Sequence, residues 1–190
     1  MASRRPAGAG KVRPMSAPAL IFTVATLPSP LGHMLVVSDR EHQLRALNWE
    51  DREERMRREL ARIYRRQPIE YIRGTAPAAT RRALQGYFAG KLQAIDEIPV
   101  QTGGTAFQST VWRALRKIPA GRTLSYGRMA DRLKCPLAVR AVGFANGSNP
   151  ISVVIPCHRL IGADGSLTGY GGGLERKRWL LEHEGVRIGE

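Results

Sequence analysis

Cysteine is almost absent from this chain, which has two in 190 residues, Cys135 and Cys157. So few exclude a disulfide framework in a protein of this size and fit a reduced, intracellular setting. Aromatic residues make up 6%, and no apolar run approaches the roughly 20 residues of a membrane-spanning helix. The expectation is a cytoplasmic protein with no membrane partner. Acidic residues are also scarce, 16 against 30 Lys+Arg, leaving a formal charge of +14. A polyanion is the natural partner for such an excess; the bland alternative is a generically Arg-rich proteome. The excess is spread evenly, with 13 Lys+Arg and 6 Asp+Glu in 103–190 and 17 and 10 before it. Charge alone therefore does not say which half meets the partner. Hydrophobic residues reach 43%, enough for one large domain or two small ones sharing a core.

The opening "MASRRPAGAGKVRPMSAPALIFTVA" faintly imitates a secretory or twin-arginine signal. Its apolar segment is short for that role, and 1–18 reads as a flexible basic tail. "LIFTVAT", "HMLVVSD" and "QLRALNW" are short strand-like runs separated by "PSPLG" and "REH", the pattern of an antiparallel meander. "EDREERMRRELARIY" turns helical, acidic early and basic late, as the helix dipole favours. "PAATRRALQGYFAG" reads as a second helix between Pro77 and Gly90, and "AIDEIPV" as one more candidate strand. The glycines of "QTGGTAF" mark the boundary to a new helical region.

There, Phe107, Val111, Trp112, Leu115 and Ile118 form one stripe of an amphipathic helix. "SYGRMADRL" and "PLAVRAVGFANG" follow as two short helices joined by "KC". Ser125 suits an N-cap and Pro136 a first helical position. Such a pair is either generic packing or a helix-turn-helix. The second helix places Ala138, Ala141, Gly143, Ala145 and Gly147 around a lone Arg140. A helix so smooth fits backbone approach or minor-groove insertion better than base-edge readout.

"VVIPCHRLIG" sets Cys157 between a proline and a histidine. Pro156 cannot donate to a ladder, so a strand "SVVI" has to end where the cysteine begins, leaving Cys157 in a turn. Cys157 is either a small buried hydrophobe or a thiolate with its partner close by. In extended geometry His158 points to the opposite face, so direct proton transfer needs a bend or a bridging water. The glycine-rich loop Gly169–Gly173 lacks the lysine and Ser/Thr of a phosphate-binding loop, which removes nucleotide hydrolysis. Glu184 stands at the negative end of its helix, so it is either solvated or held by a partner such as His158.

Together "IPCHRLIG", "TGYGGGLERKRWLLEHEG", "FQSTVWRALRKIPAGRTLSYGRMA" and "RAVGFANGSNP" resemble the O(6)-alkylguanine-DNA alkyltransferases. The match runs from about Phe107 to Gly185, and "SPLGHMLVV" and "LRALNW" resemble the family's more variable N-terminal domain. The resemblance is to the bacterial constitutive form rather than the two-part adaptive regulator. It implies an α+β fold: a small antiparallel-sheet, ribonuclease-H-like domain (19–102) and a mostly helical, winged helix-turn-helix domain (103–190). It also implies direct-reversal DNA repair in a single turnover, without cofactor or metal, by a monomer on alkylated duplex; cooperative assembly on DNA stays open.

Residue by residue, the resemblance makes Cys157 the alkyl acceptor, His158 the group that deprotonates it through water, and Glu184 the carboxylate that orients His158. Asn149 matches the brace of the turn behind the helix-turn-helix. Tyr126 matches the tyrosine that donates to the flipped guanine and crowds the phosphate. Arg140 matches the side chain that fills the vacated stack, with Ala138 and Ala141 beside it on the DNA face. Tyr170 matches a pocket wall, with Leu160, Gly171 and Lys177 as further pocket positions. Gly171 stands where some members carry serine, a difference expected to bear on alkyl preference. The zinc site of animal members has no cysteine to support it in the N-terminal half. Rival classes are a non-catalytic sensor of alkylated DNA, a zinc regulator using Cys135, Cys157, His158 and His183, and a cysteine hydrolase.

Overall fold

The computed structural model describes residues 18–65 and 67–188, so the expected tail lies, but for Pro18, outside the described residues. Three strands, β1 (Leu20–Leu27), β2 (Met34–Ser38) and β3 (Leu44–Trp49), form the antiparallel meander that the turn spacing predicts. A fourth, β4 (Ile69–Arg73), joins β1 in parallel, giving a mixed sheet of order β3-β2-β1-β4. The sequence reading does not include β4. It is an edge strand carrying Glu70 and Arg73, and charged, half-exposed edges lack the clean alternation of a buried strand.

Successive side chains of β2 point to opposite faces, and both faces are covered, so all five residues are buried. Leu35 and Val37 meet Phe22, Ala46 and the Met56–Leu60 face of helix α1 (Glu53–Ile63). Met34 and Val36 face the other way, into a large core shared with the C-terminal half. Helix α1 crosses the sheet from β3 to β4, its Glu53 and Glu54 one turn from Arg57 and Arg58. Helix α2 (Ala78–Phe88) follows, with Pro77 at its N-cap and Gly90 just past its end at φ 93°. The expected strand "AIDEIPV" does not form. A 3-10 turn occupies Leu92–Ile95, and only Val100 bridges to Leu44.

Helix α3 (Ala106–Leu115) opens on a capping box in which the Thr105 side chain accepts from Gln108 N and the Gln108 side chain accepts from Thr105 N. Val111, Trp112 and Leu115 point inward, and Trp112 Nε1 donates to Ala145 O at 2.8 Å. Helix α4 (Tyr126–Arg132) starts on the Ser125 cap, and α5 (Val139–Gly147) follows a 3-10 turn led by Pro136. These two helices pack on each other, and α5 packs on α3. Two short strands, β5 (Leu124–Ser125) and β6 (Leu160–Ile161), pair in parallel beside them. Helix α6 (Leu174–His183) closes the chain's core.

The "SVVI" strand is a correction. Ser152 to Ile155 form a turn, tied to the sheet by an isolated bridge from Ile151 to Leu47. Val153 sits there at φ 68°, fully buried. A β-branched residue in that region is strained by about 1–3 kcal/mol and persists only where its surroundings over-determine it.

A candidate active site at the Cys157 turn

Asn149 supplies that over-determination. Its Oδ1 accepts from Ile151 N at 3.0 Å, and its Nδ2 is shared between Ile155 O at 2.9 Å and Ile151 O at 3.2 Å. The same Nδ2 lies 3.1 Å from Cys157 Sγ. One buried amide thus folds the turn back on itself and points a donor at the thiol. Cys157 opens a 3-10 turn (Cys157–Arg159) and is 5% exposed. Burial pushes the thiol up, while the Asn149 donor and the charges of Lys177 and Arg55 pull it back. The two expectations merge: Cys157 is buried, in a turn, and partnered.

The bend that the 3-10 turn imposes brings His158 inward, fully buried. Its Nε2 donates to Glu184 Oε1 at 2.9 Å, and Nδ1 is buried without a hydrogen bond. A carboxylate on Nε2 fixes the proton there and leaves the lone pair on Nδ1. Burial keeps His158 below its ordinary value against the pull of Glu184, so the imidazole is neutral and able to take a proton. Glu184 caps the C-terminus of α6 and is 4% exposed, so it is not a solvated glutamate. Burial alone would raise its carboxyl, but donors from His158 and Arg159 outweigh that and hold it far below the carboxylate range.

Arg159 is the residue that sequence reasoning missed, although "PCHR" displays it beside the histidine. Its guanidinium is buried, grips both Glu184 oxygens at 2.8 Å and donates also to Ile118 O. Asn146 was missed too; its Nδ2 reaches Cys157 O at 3.4 Å. Arg55, on α1, gave no sequence signal. It spans from the sheet half to Gly147 O at 2.9 Å and leaves a cavity of about 10 Å³ beside the thiol, room for about one water.

Of the four expected pocket positions, Gly171 lines that cavity, and a Cβ there would stand 3.7 Å from the Arg55 guanidinium. Tyr170 packs edge-on between Trp49 and His158, with centroids 6.2 and 6.3 Å away. Lys177 is fully buried behind the pocket, donating to Leu160 O and Thr168 O; burial brings it down to about 8. Leu160 is also fully buried, on β6. Tyr126 Oη accepts from Thr168 Oγ1 at 3.1 Å, close to Asn146.

Arg140 and Ala141 are exposed and Ala138 half-exposed on the outer face of the α4–α5 pair. That face is less smooth than its small residues imply, since Leu137 is 101% and Phe144 73% exposed. Both are the large side chains in a run otherwise counted for its alanines and glycines. Among the described residues no group of His, Cys, Asp and Glu could hold a metal ion. None of the described helices is long and apolar enough to cross a membrane.

Fold and site define a two-part α+β protein in which a sheet unit backs a helix-turn-helix unit holding a buried, partnered cysteine. Two family models match it. One describes the ribonuclease-like domain of 6-O-methylguanine DNA methyltransferase, over residues 23–102, and the other its DNA-binding domain, over 106–186. The methylated-DNA–protein-cysteine methyltransferase of Shigella flexneri is 51% identical over 162 residues, 85% of this chain and 95% of that protein. That of Haemophilus influenzae is 42% identical over 161 residues, 84% of each. Among solved structures, the Mycobacterium tuberculosis OGT in complex with DNA superposes with a TM-score of 0.70 at 39% identity, covering 85% of this chain and 92% of that one. The chain belongs to the 6-O-methylguanine DNA methyltransferase family.

Removing the Glu184 charge strands the Arg159 guanidinium in the interior. Glu184→Gln should therefore cost about 3–5 kcal/mol at neutral pH, read as a lower urea midpoint. The folded carboxyl is depressed, so its contribution is present above the ordinary value of 4.5 and is lost as pH falls below it. The gap between the two proteins should narrow in that acid range. Equal stability at neutral pH would contradict the buried ion pair.

Proposed function

We propose that this chain repairs DNA by direct reversal, moving the alkyl group of O(6)-alkylguanine, and of O(4)-alkylthymine, in duplex DNA onto Cys157. The observation that carries it is a buried thiol held by Asn149 beside an imidazole whose Nε2 is tied to Glu184. His158 Nδ1 takes the thiol proton through a water, and Sγ attacks the alkyl carbon as its bond to oxygen breaks. The proton that the thiol loses ends on the guanine ring, with Tyr126 as the donor toward the base, so no cofactor enters the balance. The product is a thioether with no group beside it to hydrolyse it, so each molecule reacts once.

The target atom is unreachable inside a duplex, and flipping it costs a few kcal/mol. The second helix of the helix-turn-helix enters the minor groove, Ala138 and Ala141 admit close backbone approach, and Arg140 fills the gap. Tyr126, at the N-terminus of α4, crowds the phosphate. In this arrangement 103–190 is the reacting and DNA-binding unit and 19–102 the unit that backs it. The cavity beside the thiol is too small for a base, so Arg55 and the Gly171 loop move aside on entry, and Tyr170 becomes a wall of the opened pocket. Lys177 and Leu160 hold the segments behind it. A sensor that binds alkylated DNA without reacting has no use for a thiol with a base beside it, which disfavours that reading.

Mass spectrometry after mixing with O(6)-methylguanine duplex should find one added methyl, on Cys157, and none on Cys135. A methyl on Cys135, or released methanol with unmodified protein, would contradict the single-acceptor mechanism. Arg140→Ala should slow duplex repair by roughly 10- to 100-fold, a few kcal/mol of unstacking at most. It should leave reaction with free O(6)-benzylguanine unchanged. Arg140→Lys should recover part of the loss, because an ammonium does not stack as a guanidinium does. Full rescue by lysine would reduce Arg140 to a phosphate contact, and equal losses on both substrates would make it a structural residue.

A further inference from the structure

The Glu184 carboxylate has a donor from the other half of the chain. Tyr87, in the last turn of α2, is fully buried and its hydroxyl donates to Oε1 at 2.8 Å. The same oxygen accepts from His158 Nε2 at 2.9 Å and Arg159 Nη2 at 2.8 Å, while Oε2 takes Arg159 Nε. The tyrosine is itself fixed: its ring meets Phe88 and His183 edge-on at 5.2 Å, and its carbonyl is 2.8 Å from His183 Nε2.

Three donors on one oxygen share its negative charge. Whatever the hydroxyl withdraws is no longer available to hold a proton on His158, the imidazole bonded to the same atom. The groups facing His158 and its carboxylate are Cys157 and Arg159 from its own turn, Lys177 from α6, Tyr170 from the glycine-rich loop and Tyr87 from α2, whose ring is backed by His183. Arg159 and Lys177 disfavour the imidazolium by charge, and Tyr87 does so by a neutral hydrogen bond.

We propose that Tyr87 is a positioning residue for the reaction, keeping His158 neutral and aimed by donating to the Glu184 oxygen that His158 also uses. The sheet half of the chain thereby contributes a side chain to the reacting centre of the other half. The proposal rests on His158 and Glu184 acting as the base and its orienter.

Tyr87→Phe removes the hydroxyl and keeps the ring. Its single-turnover rate on saturating O(6)-methylguanine duplex, followed against pH beside wild type and His158→Gln, separates the possibilities. The acid limb of the Tyr87→Phe profile should move to higher pH, by up to about one unit, because the relieved carboxylate binds the imidazolium more tightly. The rate should be about 3- to 10-fold lower below that limb and recover toward wild type above it. A uniform loss with an unmoved limb, or a profile identical to wild type, while His158→Gln is inactive, would overturn the positioning role and leave the base intact. Wild-type transfer by His158→Gln would overturn the base itself and this inference with it. Thermal midpoints establish that the variants are folded at the temperature of the assay.

Discussion

A carboxylate taken out of water at the negative end of a helix is opposed by both desolvation and the helix dipole, and those costs reach several kcal/mol. Glu184 stays ionised because four hydrogen bonds converge on its two oxygens, from Tyr87, His158 and twice from Arg159. The donors arrive from two distant pieces of the chain, Tyr87 from α2 and His158 and Arg159 from the cysteine turn, with the arginine also bound to the carbonyl of Ile118 after α3. The carboxylate therefore joins the two halves of the molecule at the residue next to the thiol. A buried charge of this kind is weak as a source of stability against an apolar replacement but severe as a constraint, since losing either the carboxylate or the Arg159 guanidinium leaves the other charge unpaired in the interior. It fixes which nitrogen of His158 carries the proton, and hence which one is free to accept another.

The cysteine turn depends on a second constraint, the strained backbone at Val153. Asn149 holds it with three bonds to the surrounding backbone and points the same amide at the sulfur. Around this pair the sheet half serves as buttress and cover. Gly172 comes so close to Trp49 and Tyr170 that any side chain would meet them within 3 Å. Arg176 lies over the Trp49 ring at 4.8 Å and pairs with Asp51 at 2.9 Å, and Arg55 reaches the end of α5. N-terminal residues thus back the glycine-rich loop and, with Arg55, line part of the cavity beside the thiol.

How much of this could be read from the sequence follows from the range of each interaction. The meander, the amphipathic α3 and the Ser125 cap were legible because they depend on periodicity and on neighbours three or four residues apart. β4 was not, because an edge strand with Glu70 and Arg73 carries no such pattern, and "SVVI" misled because three apolar residues in a row read as a strand unless a side-chain amide bends them. The pairing of His158 with Glu184 was foreseeable from the misplaced charge of Glu184 at a helix end. Arg159 stood in plain view in "PCHR" but gained meaning only when its guanidinium was seen buried. Tyr87 and Arg55 act on the C-terminal half from 97 and 92 residues away along the chain, and nothing local marks them. The face around Arg140 was judged by its alanines and glycines, and Leu137 and Phe144 protrude from it, covered by none of the described elements.

Proton transfer from the thiol depends on the protonation state of one ring. Nitrogen-15 spectroscopy of histidine-labelled protein near neutral pH reads it directly, with the His158 resonances assigned through the loss of signal in His158→Gln. The prediction is a neutral His158 protonated on Nε2, with an unprotonated Nδ1. A proton on Nδ1, or an imidazolium in the resting protein, would contradict the claim that Glu184 prepares this histidine to accept the thiol proton.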